Sequence, residues 1–214
     1  MTTPRLAPMP LTVSPAARLT QLIAGLALYG TSMAMMTRSG LGLSPWDVLH
    51  EGLTVRTGLS FGIITAITSG AVLLAWVPLR QRLGLGTIAN VIVIAVTVDL
   101  VRLVLPEQHD LGWQITLLVG GVVLNGIATA AYIGVRLGPG PRDGLMTGLV
   151  TSTGRSVQVV RTGIEAGVLL AGWLLGGTVG VGTVLYALTI GSLTQFFLAR
   201  TTWRDREPAV TRGA

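Results

Sequence analysis

Two stretches 96 residues apart constrain this chain more than any other feature: Gly42-Leu-Ser-Pro-Trp-Asp-Val-Leu-His-Glu-Gly-Leu53 and Gly138-Pro-Gly-Pro-Arg-Asp-Gly-Leu-Met-Thr-Gly-Leu149. One ungapped shift lays Gly42 on Gly138, Pro45 on Pro141, Asp47 on Asp143, Leu49 on Leu145 and Gly52 on Gly148. The same shift carries Thr57-Gly58 onto Thr153-Gly154, Ser60 onto Ser156, and Gly84, Gly86 and Thr87 onto Gly180, Gly182 and Thr183. Self-similarity at a fixed period marks a repeated structural unit. A bias towards Gly, Leu and Val does not generate ungapped Pro-x-Asp and Gly-x-Gly-Thr matches. The chain is an internal duplication, so its fold must be built twice.

What is duplicated belongs in a bilayer. Half of the 214 residues are hydrophobic and only 11% are charged, against about 25% charged in a soluble domain. Several apolar runs reach the roughly 20 residues that a helix needs to cross the hydrocarbon core. The net charge of +6 comes from arginine alone, because the sequence has no lysine. Those arginines fall mainly at the ends of apolar runs rather than on one face, which excludes nucleic-acid binding as their purpose. With no cysteine and only His50 and His109, thiolate sites are impossible and no closely spaced ligand pair stands out, so neither metal nor cofactor is expected. The sequence contains no nucleophile–base–orienter set, and Gly138-Pro-Gly-Pro lacks the Gly-Lys-Ser/Thr of a phosphate loop. An enzyme is not expected.

In chain order, Met1–Ala17 reads as a disordered cytoplasmic leader, followed by spans at Leu19–Thr37, Leu59–Leu79 and Thr87–Leu105. The polar loop 106–112 leads to spans at Trp113–Val135, Val157–Leu175 and Thr183–Ala199, and a charged tail, 200–214, is expected to be disordered. Two short helices complete the plan, one over Pro45–Val55 and one opening at Gly140-Pro141-Arg142-Asp143; Ser44 has the form of an N-cap with Pro45 at the first helical position. The fold class is an all-α polytopic membrane protein of six transmembrane helices. It divides into two three-helix repeats, 18–105 and 113–199, each with a short broken or interfacial helix. An odd number of spans per repeat inverts the second copy relative to the first. The arginine distribution puts both termini in the cytoplasm. Trp46, Trp76, Trp113, Trp173 and Trp203 lie near span ends, where interfacial anchoring is expected, and Asn90 and Asn125 read as interhelical hydrogen-bonding residues.

Candidate site residues follow from charge and backbone polarity at membrane depth. A helix start buried in the membrane presents free N–H groups and partial positive charge, so Ser44, Asp47, Gly140 and Asp143 are candidates for solute binding. On the alternative reading the short helices lie in the headgroup region and the two aspartates only cap them. Asp99, Arg161 and Glu165 fall inside spans, where ionisable groups are costly and mark pathways. Arg161 and Glu165, four apart, also form a natural internal pair, and Asp99 stands near Arg102 at an outer end. His50 reads as a pH-sensitive group or, on the plainer alternative, as a solvated residue on a polar face.

Gly42-Leu-Ser-Pro-Trp-Asp-Val-Leu-His-Glu-Gly-Leu53, Thr57-Gly-Leu-Ser-Phe-Gly62 and Gly138-Pro-Gly-Pro-Arg-Asp-Gly-Leu-Met146 resemble the YczE/YitT/YyaS family of bacterial membrane proteins, nearest to the YczE type, over essentially all of residues 18–199. The resemblance implies a bacterial inner-membrane protein with several spans and carries no settled activity. Two functions stand: a small secondary transporter or permease for a modest solute bound between the short helices, or a non-transporting scaffold acting through a protein partner. A homodimer would add volume that six spans alone do not enclose.

Overall fold

The computed structural model describes residues 9, 10 and 12–203. Eight helices follow one another: α1 (Pro15–Ser39), α2 (Pro45–Thr57), α3 (Phe61–Trp76), α4 (Leu85–Val104), α5 (Leu111–Gly134), α6 (Pro141–Thr153), α7 (Val157–Leu174) and α8 (Val181–Thr201). Each of α5 to α8 begins 96 residues after its counterpart in α1 to α4. The duplication read in the sequence is therefore a four-helix unit used twice. Its punctuation repeats as well. Ser60 and Ser156 cap α3 and α7 by accepting from Ile63 and Val159 N–H, while Gly58 and Gly154 end α2 and α6 in the left-handed conformation.

Five helices, α1, α4, α5, α7 and α8, are long and apolar enough to cross a membrane; the total reaches six if α2 and α3, bent by 115° about their short break, form one span. The expected span Leu59–Leu79 is shortened. α3 has only 16 residues because Val77–Arg80 leaves the helix in a turn. Pro78 in that stretch lacks the N–H a continuing helix needs.

The halves meet through α1 and α5, and their contacts are reciprocal. A Cβ on Gly25 of α1 would meet Tyr132 N at 3.0 Å and Ala128 O at 3.4 Å, and one on Gly121 of α5 would meet Ser32 O at 3.2 Å and the Met36 side chain. Every one of these residues lies 96 positions from its counterpart. The loops exchange in the same way: Gly182 N–H donates to Leu41 O at 2.8 Å, and Gly86 N–H donates to Leu137 O at 2.9 Å. Gly42 (φ 118°) and Gly138 (φ 124°) sit at these crossings. A side chain on Gly42 would strike Gly180 and Thr183, and one on Gly138 would strike Gly84 and Thr87. Contact i-to-j answered by j-to-i is the pattern of an isologous interface, here within one chain.

Size is exchanged across the interface too. Gly172 of α7 packs on Val48 and Leu49 of α2, whereas at the equivalent junction Trp76 of α3 packs on Gly144 of α6. The large residue has moved to the other side. Trp76 is consequently buried, with its indole N–H donating to Pro141 O at 3.0 Å, and is not the interfacial anchor its position suggested. Trp113 and Trp173 are exposed, as an anchor requires.

The ends of the chain depart from expectation where they are described. Pro15–Ala17 form the first turn of α1, and Met9 N–H donates to Arg136 O. Arg18 is fully buried and donates to the carbonyls of Met9, Pro10, Val13 and Val135. Residues 9, 10 and 12–17 are therefore tied to the body rather than free. The remainder of the expected leader, residues 1–8 and 11, and the tail from 204 lie outside the described residues. Arg200 and Thr201 still belong to α8, and Trp203 donates to Gln21 at 2.7 Å.

Candidate functional site

The starts of α2 and α6 open onto one cavity of about 290 Å³ between the halves. Positions equivalent under the repeat face it in pairs: Ser44 with Gly140, Pro45 with Pro141, Trp46 with Arg142, Thr65 with Arg161, Ser69 with Glu165, and Ile94 with Ile190. All three tyrosines of the chain, Tyr29, Tyr132 and Tyr186, line it as well.

Of the seven candidates, Ser44, Gly140, Asp143, Arg161 and Glu165 line this cavity, and Asp47 stands directly behind Ser44, whose hydroxyl donates to its Oδ2 at 2.6 Å. Asp143 accepts from the Tyr132 hydroxyl at 2.7 Å. Arg161 and Glu165 pair at 2.9 Å, as their spacing on α7 allows. Asp99 belongs elsewhere. It accepts from the Ser60 hydroxyl at 2.5 Å and from Gly62 N–H at 2.7 Å, so its carboxylate ties α4 to the start of α3. A carboxylate at a helix start answers the free N–H groups and the dipole there, which gives this intramembrane charge a structural task.

Three features were not anticipated. Arg142, not singled out as a candidate from the sequence, lines the cavity with its guanidinium 5.0 Å from the Trp46 ring centroid and 3.6 Å from Asp47 Oδ1. His50 is buried rather than solvated: Nδ1 is 3.4 Å from Asp47 Oδ1 and 3.3 Å from the Thr65 hydroxyl, and Nε2 is 2.9 Å from the Thr68 hydroxyl. The tyrosines carried no weight because they stand outside the repeated blocks. One signal was available for Arg142. It occupies the position of Trp46 in the repeat, and a reciprocal interface brings equivalent positions together.

Asn125 fulfils its expected role by donating to Ser32 at 2.8 Å and accepting from Tyr186 at 3.2 Å. α6 differs from α2 at its start: Ser44 caps α2 by accepting from Asp47 N–H, whereas Gly140 offers α6 no side chain. Among the described residues no group of three or more His, Asp or Glu side chains could hold a metal ion. The arrangement offers a small polar chamber lined by arginine, carboxylate and tyrosine side chains.

These features define a helical membrane protein with a polar cavity between duplicated halves. Residues 16–199 match the model of a family of unknown function, DUF6198, and the chain belongs to that family. Among its relatives, an uncharacterized protein of Haemophilus influenzae is 43% identical over 83% of this chain and 81% of its own length. The uncharacterized membrane protein YczE of Bacillus subtilis is 36% identical over 85% of each. YyaS of the same organism is 27% identical over 81% of this chain and 89% of its own, so the resemblance to YczE and YyaS holds. No solved structure matches.

Proposed function

We propose that the chain is a small secondary transporter or permease of the bacterial inner membrane, binding its solute in the cavity between α2 and α6. One observation carries this reading: the first turns of both short helices, approached from opposite halves of a duplicated fold, line the same polar chamber. Substrate sites of secondary transporters lie where internal repeats meet, near the membrane midplane and beside broken helices. On this reading each half contributes three spans, α2 and α6 enter from opposite faces, and both termini are cytoplasmic. At about 290 Å³ the chamber falls at the small end of ligand pockets, which run from about 300 Å³ upward, so the solute is small.

The chain has no cysteine, which makes the test direct. Ser69→Cys and Thr194→Cys place single thiols in the cavity on α3 and α8. In oriented vesicles a membrane-impermeant maleimide should modify each thiol from both faces, because alternating access exposes one site to two solutions in turn. A cavity sealed from both sides, or open to only one under all conditions, would replace the transporter with a scaffold that acts through a protein partner.

A further inference from the structure

Among the described residues, three side-chain ion pairs between arginine and a carboxylate can be compared. Arg38 meets Glu107 at 2.7 Å and Arg161 meets Glu165 at 2.9 Å. Arg142 and Asp47, which join the two halves, stand at 3.6 Å although the Asp47 side chain is only 4% exposed. Burial makes a close, hydrogen-bonded fit most necessary in just such a place. Instead, Asp47 Oδ1 is buried without a well-formed hydrogen bond, its nearest contact being His50 Nδ1 at 3.4 Å, and the Arg142 guanidinium rests on the Trp46 ring while facing the cavity. Asp47 is also in reach of a second cation-forming group, His50, which is 1% exposed and linked to the Thr65 and Thr68 hydroxyls.

From this loose triad we infer that the cavity takes a small monoanion bearing a carboxylate, bound by Arg142, and that its binding is coupled to uptake of one proton by the Asp47–His50 pair. The inference rests on the transporter reading for its purpose, but not for its chemistry. A planar guanidinium matches a carboxylate in two parallel hydrogen bonds, which are stronger than its present contact. An anion that draws Arg142 away leaves Asp47 buried with only the His50 ring beside its Oδ1. A buried charge without its partner is relieved by protonation. One proton from the aqueous phase then sits on the pair, either as a carboxyl group or as imidazolium beside carboxylate, and net charge is conserved when anion and proton move together.

Other charged and titratable groups around this cluster set the selectivity. Arg142 and Asp143 face it from α6, Tyr29 from α1 and Tyr186 from α8, while Arg161 and Glu165 line the same cavity as their own pair. Asp143 and Glu165 leave no spare positive charge for a second negative group, so a dianion is disfavoured. Ser44 and Thr65 line the cavity and their hydroxyls contact Asp47 and His50, respectively, which gives the proton a polar route between the cavity and the pair.

The experiment uses the purified full-length chain in an uncharged detergent, with sodium acetate as the probe and sodium chloride at equal ionic strength as the control. Tryptophan emission follows binding through the Trp46 stack, with Trp46→Phe identifying that signal, and a pH indicator in weak buffer follows protons. Saturable acetate binding should take up one proton per anion, and by linkage its affinity should rise about tenfold for each pH unit lowered. Arg142→Gln should abolish binding. Asp47→Asn should bind acetate without proton uptake or pH dependence, and if that variant fails to fold, His50→Gln should at least reduce the uptake. Binding without proton uptake in the native chain overturns the coupling. No saturable binding, binding indifferent to Arg142→Gln, or tighter binding of inorganic phosphate overturns the anion assignment. None of these outcomes changes thiol access at Ser69→Cys and Thr194→Cys, which decides transport separately. Coupled binding in a chain whose cavity opens to one face only would keep the anion assignment and overturn the transporter reading.

Discussion

α2 and α6 begin at the same point of the repeat, have the same length and end on the same kind of glycine, yet they bring opposite chemistry to the shared cavity. α2 is closed at its start by the Ser44 hydroxyl and holds a buried Asp47 and His50 behind it. α6 has Gly140 in place of that cap and turns Arg142 and Asp143 towards the cavity. The backbone contacts between the halves remain reciprocal while the side chains around the cavity have diverged. A duplicated fold can keep its packing symmetric and still build an asymmetric site, because packing is decided by the glycine crossings and chemistry by the positions beside them.

Swapping equivalent residues tests this division, and the largest effect belongs to the packing. Gly144→Val should clash with the Trp76 ring, since even a Cβ there overlaps it; overpacking costs about 1–3 kcal/mol or more. Trp76→Gly alone should cost about 3–5 kcal/mol through the cavity it leaves. The double variant recreates in α3 and α6 the small-on-large pairing of Gly172 with Val48. It should recover part of the loss, with a coupling of about 0.5–3 kcal/mol. Thermal unfolding in detergent measures all three. Additive losses would show that the exchange of sizes is incidental.

A smaller effect should follow from exchanging chemistry. Met146 occupies the position in α6 that His50 occupies in α2. His50→Met removes the ring that joins Asp47 to Thr65 and Thr68 in the buried interior, and should cost about 1–3 kcal/mol, chiefly because Asp47 Oδ1 loses its polar neighbour within α2. Met146→His, at a half-buried position on the cavity wall, should shift stability by no more than about 0.5 kcal/mol. Equal effects would mean that the first half holds no special buried network.

The repeat, the element order and a part of the cavity lining could be read from the sequence because they depend on local signals. Ser-Pro and Gly-Pro at helix starts, glycine at helix ends and apolar run length are short-range, and the fixed shift of 96 aligned them twice. Five cavity-lining residues emerged from the simple expense of placing charge or free N–H groups in a membrane. Depth and partner choice could not be read. Arg142 looks like a surface arginine until α2 of the other half is set against it, and His50 looks solvated until α3 covers it with Thr65 and Thr68. Asp99 looked like a pathway charge because nothing local shows that the start of α3 lies beside it, 37 residues earlier in the chain.

That placement of Asp99 gives the finest test of how far equivalence extends. Ser60 and Ser156 are matched caps, each accepting from the N–H three residues on. Ser156→Ala should therefore cost about 1 kcal/mol, the usual loss of a serine cap. Ser60 also donates to Asp99, whereas the residue equivalent to Asp99 is Gln195, on the cavity wall. Ser60→Ala removes the cap and one hydrogen bond to a carboxylate, so it should cost roughly 1 kcal/mol more than its counterpart. Asp99→Asn in the Ser60→Ala background should then add less than it does alone, because the two changes break one shared contact. If Ser60→Ala and Ser156→Ala shift the melting temperature equally, Asp99 contributes nothing through the hydroxyl. Its hold on α3 would then rest on Gly62 N–H alone.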